Sequence, residues 1–292
     1  MTFKDALRTK EFVVTANVNL QLAPDAEALI RQGEILRPAV DAVQLTDNPS
    51  GKVHMSGIAA AALLLQQDLD PIVHMTCRDR NRIALQSDFF GAAALGVTSV
   101  LLMHGDNLPK HMKPKVRNVF DINAKKLMAF VQDLKDAETV TLVSDFLVGG
   151  VATLFDPDAN WTPKSVIEKC DAGANFIQTQ LCFDIEVMRN YMTRMVASKL
   201  THRLNFIMSL SPLPSLDATH WMRDNVTGIL MPESIIKRME QASDPENEGV
   251  KICAELLQEL ASIPGVSGVN LMTLGELETI PAAIEASGVR PS

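Results

Sequence analysis

Cysteine is scarce in this chain and poorly spaced for chemistry. The four residues, Cys77, Cys170, Cys182 and Cys253, include no pair at metal-ligand or redox spacing. That leaves four reduced thiols, three of them expected to be buried, in a cytoplasmic protein. Basic charge is also short: 27 Lys and Arg stand against 35 Asp and Glu, a formal net charge of −8, with both signs interspersed. Nucleic acid needs a basic surface, so only a small anion at a local cluster such as Arg78, Arg80 and Arg82 suits this balance. The longest apolar run lies near Ile58–Leu65, far short of a membrane span. The opening MTFKDALRTKEF lacks the apolar core of a secretory signal. The six histidines form neither HxH nor HExxH, so no metal site is expected. GxGxxG, GxxxxGK(S/T) and GxSxG are all missing, which removes a Rossmann site, a P-loop and a hydrolase elbow.

What is present is core-forming material: 292 residues, 47% of them hydrophobic, enough for a large core without metal or disulfides. Strands are read at Phe12–Val18, Asp41–Leu45, Pro71–Met75, Thr98–Met103, Thr139–Val151, Asn175–Gln180, Leu204–Leu210 and Val266–Met272. Helices are read between them, at Ala23–Leu36, Ser56–Gln67, Arg82–Leu95, Ile122–Lys135, Pro163–Ala172 and Ile185–Lys199, then in pieces from Asp217 to Ser262, with Leu277–Ala286 at the end. Asn107–Asn118 and Pro157–Pro163 read as long loops. The strands read as continuous apolar runs, as in a parallel sheet buried on both faces. Eight strand–helix units in strict alternation, with no repeat or linker, predict a single-domain (β/α)8 TIM barrel over residues 1–292; a doubly wound sheet is the runner-up.

In such a barrel the carboxyl ends of the strands converge on one mouth. The residues there are Asn17, Thr46 with Asp47, His74 with Thr76, Asp106, Gly149–Gly150, Gln180, Ser209 and, just beyond the last strand, Leu274. Each also has a plain reading. His74 is a hydrogen-bonded structural histidine, Asp106 a turn residue or helix cap, and Arg78–Arg82 a solvated helix start. Gln180 is harder to set aside, because a buried amide needs partners. Residue pattern alone gives a barrel with a polar, metal-free pocket.

Five blocks of the chain resemble the methylenetetrahydrofolate reductase family, in the family's order and spacing. They are LTDN at Leu45–Asn48, HMTCRDRNR at His74–Arg82, LLMHGD at Leu101–Asp106, KCDAGANFIQTQLCFD at Lys169–Asp184 and GVNLMTLGE at Gly268–Glu276. The second and fourth are the most specific, and the length resembles the short bacterial catalytic module. The resemblance implies a barrel holding FAD, reduced by NADH or NADPH, that interconverts 5,10-methylenetetrahydrofolate and 5-methyltetrahydrofolate. It places Thr46, His74, Met103, His104, Gly105 and Asp106 along the flavin. Lys169 and Ala174 fall near its ribityl or phosphate part, with backbone contacts from Gly150 and Ala152. Asp106, Gln180 and Leu274 would meet the folate. Self-association of such barrels is common, but the sequence fixes no number of subunits.

One departure bears on mechanism. The family's first-strand glutamate, a proton source for opening the folate's five-membered ring, corresponds here to Asn17 in TANVNL, and the usual proline pair after it is missing. Asparagine donates hydrogen bonds but delivers no proton near neutral pH. Three readings stay open: Asp47 or a water substitutes, the reaction runs in the oxidative direction, or the chain binds folate without redox turnover, as a methyltransferase or accessory protein would. Polar and basic flavin-contact positions of the family are also unmatched around Thr162–Glu168.

Overall fold

The computed structural model describes residues 1–20, 25–108, 115–136 and 146–290. Eight parallel strands close into a barrel in sequential order: β1 Val13–Asn17, β2 Ala42–Leu45, β3 Pro71–Thr76, β4 Ser99–Met103, β5 Leu147–Ala152, β6 Phe176–Leu181, β7 Asn205–Leu210 and β8 Val266–Leu271. β1 pairs with β8 through Val13↔Gly268 to Ala16↔Leu271, which seals the ring. The barrel reading therefore holds and the doubly wound alternative does not. Residues 139–145 of the predicted fifth strand, 23–24 of the first predicted helix and 109–114 of the long loop lie outside the described residues.

One element was not expected. Phe3–Thr9 forms a helix, α1, ahead of β1, started by a capping box between Thr2 and Asp5. It closes the amino end of the barrel. Phe3 is fully buried with Val13, Ala42, Ile72, Leu101, Phe176 and Ile207, and its ring meets that of Phe176 edge-on at 5.3 Å. Phe176 needs the space left by Gly149, where a Cβ would fall 2.2 Å from the ring. The outer helices are α2 Ala26–Leu36, α3 Gly57–Leu65, α4 Arg82–Ala94, α5 Ala124–Asp136, α6 Lys164–Asp171, α7 Ile185–Ala197, α8 Leu216–Asn225, α9 Glu233–Gln241, α10 Pro245–Ala261 and α11 Thr279–Ser287. Their apolar faces cover Val14, Ala16, Val43, Leu45, Val73, Met75, Val100, Leu102, Ile177, Val269 and Leu271, forming one continuous outer core.

The interior corrects the expectation of uniformly apolar strands. Above the apolar plug, Thr15, Gln44, His74, Gln178 and Asn270 are all buried and bond to one another across the barrel. Inward and outward positions alternate along a barrel strand, so these five point into the barrel while their neighbours face the helices. All four cysteines are buried, not three. Burial pushes the thiol of Cys77 up to about 11 and those of Cys182 and Cys253 to about 12, so none is a ready nucleophile.

Candidate active site at the barrel mouth

The site is built upward from the polar waist. Gln44 lies at its centre: Nε2 donates to Gln178 Oε1 at 2.6 Å and to Thr15 Oγ1 at 3.0 Å. Its Oε1 is 2.8 Å from His74 Nε2. Since the amide nitrogen already serves two acceptors, the oxygen must accept and His74 carries its proton on Nε2. Burial lowers the His74 pKa to about 3, so the ring is neutral and its Nδ1 is a lone-pair acceptor. Among the described residues nothing bonds to Nδ1. Thr15 Oγ1 lies 3.0 Å from Asn270 Oδ1, and Asn270 Nδ2 donates to Asn17 Oδ1 at 3.0 Å. The waist thus reaches the mouth at Asn17.

The rim is more open. A cavity of about 250 Å³ opens beside the ends of β2 and β3, lined among others by Asp47, His54, Ser56, Gly57, His74 and Arg80. Thr46, just past β2, shares a hydrogen bond with His54 Nε2 at 3.2 Å. Asp47 Oδ2 accepts from the Thr76 amide at 2.7 Å and its hydroxyl at 2.9 Å, and pairs with Arg80. Serving as a proton donor would require Asp47 to break this set. Arg80 also binds Asp88 at 2.7 Å, yet its buried Nε has no partner among the described residues. Arg78, the largest fully buried side chain, clamps Asp79 and the Asn48 carbonyl and so ties the loops after β2 and β3 together.

The other predicted residues divide by position. Met103 ends β4 and is half-buried. His104 is exposed and stacks on Phe120 at 4.2 Å. Gly105 takes φ +85, with a Cβ position only 2.9 Å from Arg78 Cβ, so the turn excludes a side chain. Asp106 is exposed and makes no hydrogen bond among the described residues. Gln180 is half-buried and donates to the Thr227 carbonyl at 3.1 Å; the buried amide of this strand is Gln178. Leu274 is exposed at the rim, and Ala152 ends β5, half-buried.

Five positions do not converge on the mouth. Gly149 faces Phe176 inside the barrel, and Gly150 faces outward, where a Cβ would meet Met128 Cε at 2.7 Å and Lys169 Cδ at 3.3 Å. Lys169 lies over this gap and gives its ammonium to the Val151 carbonyl at 2.7 Å and to Ser165 Oγ at 3.3 Å. Burial lowers its pKa. Ala174 is buried before β6, at the opposite end of the barrel from the mouth. Ser209 is spent in the wall: its amide donates to Thr179 Oγ1 at 3.1 Å and its hydroxyl to the Thr179 carbonyl at 2.7 Å, where the β6–β7 register shifts.

Thr15, Gln44, Gln178 and Asn270 escaped the sequence reading. Their signal was a polar residue in the middle of an apolar strand, repeated in VVTAN, AVQL, FIQT and GVNL. Among the described residues no group of three or more His, Cys, Asp or Glu is placed to hold a metal, and no helix is long and apolar enough to cross a membrane.

Comparison with known proteins bears on this mouth. A solved structure from Clostridium thermocellum, described as an uncharacterized protein that binds two copies of 5-methyl-5,6,7,8-tetrahydrofolic acid, superposes with a TM-score of 0.64 at 15% identity, over 97% of this chain and 96% of that one; at this identity the likeness is one of fold. A probable methylenetetrahydrofolate reductase (NADPH) from Caenorhabditis elegans is 22% identical over 246 residues, 82% of this chain and 35% of that protein. The chain therefore spans about a third of the length of that relative. The family model described as methylenetetrahydrofolate reductase matches residues 21–288, and the chain belongs to the methylenetetrahydrofolate reductase family.

Proposed function

We propose that the carboxyl-end mouth binds a reduced folate and interconverts 5,10-methylenetetrahydrofolate and 5-methyltetrahydrofolate, with FAD as cofactor and NADH or NADPH as electron partner. The observation that carries this reading is the meeting of residues from separate family blocks, Thr46, His74, Met103 and Gln180, at one end of one barrel. The residues present fit the ring end of a flavin. His74 lines the cavity, its Nδ1 is a neutral acceptor with no partner among the described residues, and Thr46 follows β2 next to it. FAD bound there would supply hydride transfer at its N5. Thr46, His74 and the Met103–Asp106 segment would hold its ring, and Asp106 and Gln180 would hold the pterin's amino and N3–H edge by hydrogen bonds. A cation for the diphosphate at Lys169 would have to give up the Val151 carbonyl.

A second reading, folate binding without redox turnover, is favoured by Asn17, an amide that transfers no proton, and by that inward lysine. The deciding measurement is the visible spectrum of the purified protein supplied with FAD. Bleaching under anaerobic NADH or NADPH and reoxidation by methylenetetrahydrofolate supports the reductase. Tight 5-methyltetrahydrofolate binding with no nicotinamide-linked absorbance change supports the second reading, and no folate binding at all overturns both.

A further inference from the structure

The waist bonds form one directed chain. His74 Nε2 donates to Gln44 Oε1, Gln44 Nε2 to Thr15 Oγ1, Thr15 Oγ1 to Asn270 Oδ1, and Asn270 Nδ2 to Asn17 Oδ1. Each interior member, Gln44, Thr15 and Asn270, accepts at one link and donates at the next; Gln44 Nε2 also donates to Gln178 Oε1, and the Thr15 hydroxyl also lies 3.3 Å from the Val269 carbonyl. Reversing any single link sets two donors or two acceptors against each other, which is costly in a buried site. The polarity therefore belongs to the chain as a whole. At its upper end Asn17 is half-buried. Asn270 is in register with Thr15, one inner layer below Asn17, so the Asn17 oxygen is turned down into the barrel. A planar amide then carries its NH2 group away from the waist. Among the described residues nothing accepts from that group.

We propose that this relay is a polarity lock. It presents Asn17 Nδ2 to the mouth as a hydrogen-bond donor to an acceptor atom of the reduced pterin, an amine lone pair or ring carbonyl, and Thr15, Gln44 and Asn270 are its positioning residues. The proposal rests on the folate reading above. A glutamate at position 17 would also receive the Asn270 N–H, but its second oxygen would face the mouth as an acceptor or proton carrier. In this chain the same socket holds a fixed donor.

The test is calorimetric binding of 5-methyltetrahydrofolate from pH 5 to 8. Asn17→Ala, which removes the donor, weakens binding about tenfold, the loss of one hydrogen bond. Thr15→Val, which cuts the relay beneath the site, gives a similar loss, and Thr15→Ser restores wild-type affinity. Asn270→Asp puts an acceptor where a donor stood, so the Asn17 amide turns over; binding weakens about tenfold at pH 8 and recovers as acid protonates the new carboxyl group. Thr15→Val shows no such recovery. Wild-type affinity in Asn270→Asp at pH 8, or a loss in Thr15→Ser equal to that in Thr15→Val, overturns the lock while leaving the folate reading intact. Failure of the wild-type protein to bind the folate overturns that reading instead, and the lock is then judged on the free protein. The ¹⁵N shifts of the His74 ring nitrogens, assigned by their disappearance in H74Q, must place the proton on Nε2. A proton on Nδ1 overturns the polarity whatever the ligand.

Discussion

Asp70 stands directly before β3, where the plug meets the barrel, and makes a pH-dependent prediction. Its Oδ2 accepts from the Phe3 amide at 2.6 Å, the bond that seats α1. Burial raises its pKa from the ordinary 3.8 to about 6, against the opposing pull of that same hydrogen bond. A native value above the unfolded one means that the folded protein holds the extra proton between about pH 4 and 6. Stability then falls as pH rises through that window. The full penalty above pH 6 is about 3 kcal/mol at 1.36 kcal/mol per pKa unit, an order-of-magnitude figure. Asp70→Asn keeps an acceptor for the Phe3 amide and removes the charge. Urea unfolding of both proteins at several pH values should show the variant more stable at pH 7, by up to this amount, and the gap closing as pH falls to 4. Comparing the two proteins cancels every other titrating group. A gap that does not vary with pH, or a wild type that gains on the variant as pH rises, would refute the reasoning and show that the Phe3 hydrogen bond outweighs the cost of burying the charge.

Three further outcomes follow from the same geometry. Gln44→Met keeps the volume but leaves the His74 N–H, Thr15 Oγ1 and Gln178 Oε1 without their shared partner; at about 1–3 kcal/mol per unsatisfied buried group, and with partial re-pairing, the loss should be about 3 kcal/mol in urea at unchanged m value, and a loss under about 1 would contradict the waist. Phe3→Ala opens a cavity against Phe176 and should cost about 3–5 kcal/mol; a negligible change would mean that α1 does not plug the barrel. Asn17→Glu puts an acid in the socket below the folate and, on the proposed function, should raise the reductive rate at neutral pH toward the ~10²–10⁴-fold that a placed acid contributes; an unchanged or lower rate in a stopped-flow assay would show that the proton comes from elsewhere or is not needed.

The eight strands were legible because each is a short run of Val, Ile, Leu or Met ending in polar residues, and strict alternation with helices leaves few topologies. The interior was not. In a parallel barrel both faces of a strand are buried, so a core-facing Val43 and a waist-facing Gln44 carry no contrast of exposure to separate them. The polar layer becomes visible only when Thr15, Gln44, His74, Gln178 and Asn270 are aligned across strands, and alignment needs the register. The same limit explains Gln178 and Gln180, two positions apart on β6. Sequence flagged the amide at the strand end, whereas the deeper one crosses the barrel to Gln44. The plug was hidden because α1 is seven residues long and its reason to exist, Phe176, lies far along the chain.

Lys169 and Asn17 show the limit in the site itself. Sequence supplies a charge at Lys169 but not its direction. The missing side chain at Gly150 opens the path by which the ammonium reaches the Val151 carbonyl, and that path exists only once β5 and α6 have packed. At Asn17 the change of residue type was plain from the first strand, and on its own it reads as a loss of proton-transfer chemistry. The structure adds what the amide is bonded to. The Asn17 oxygen accepts from Asn270, so on the proposed lock it is the N–H groups of the amide that serve the mouth. The substitution therefore exchanges one kind of contact for another, and the rest of the exchange is held in three buried residues beneath it, Thr15, Gln44 and Asn270.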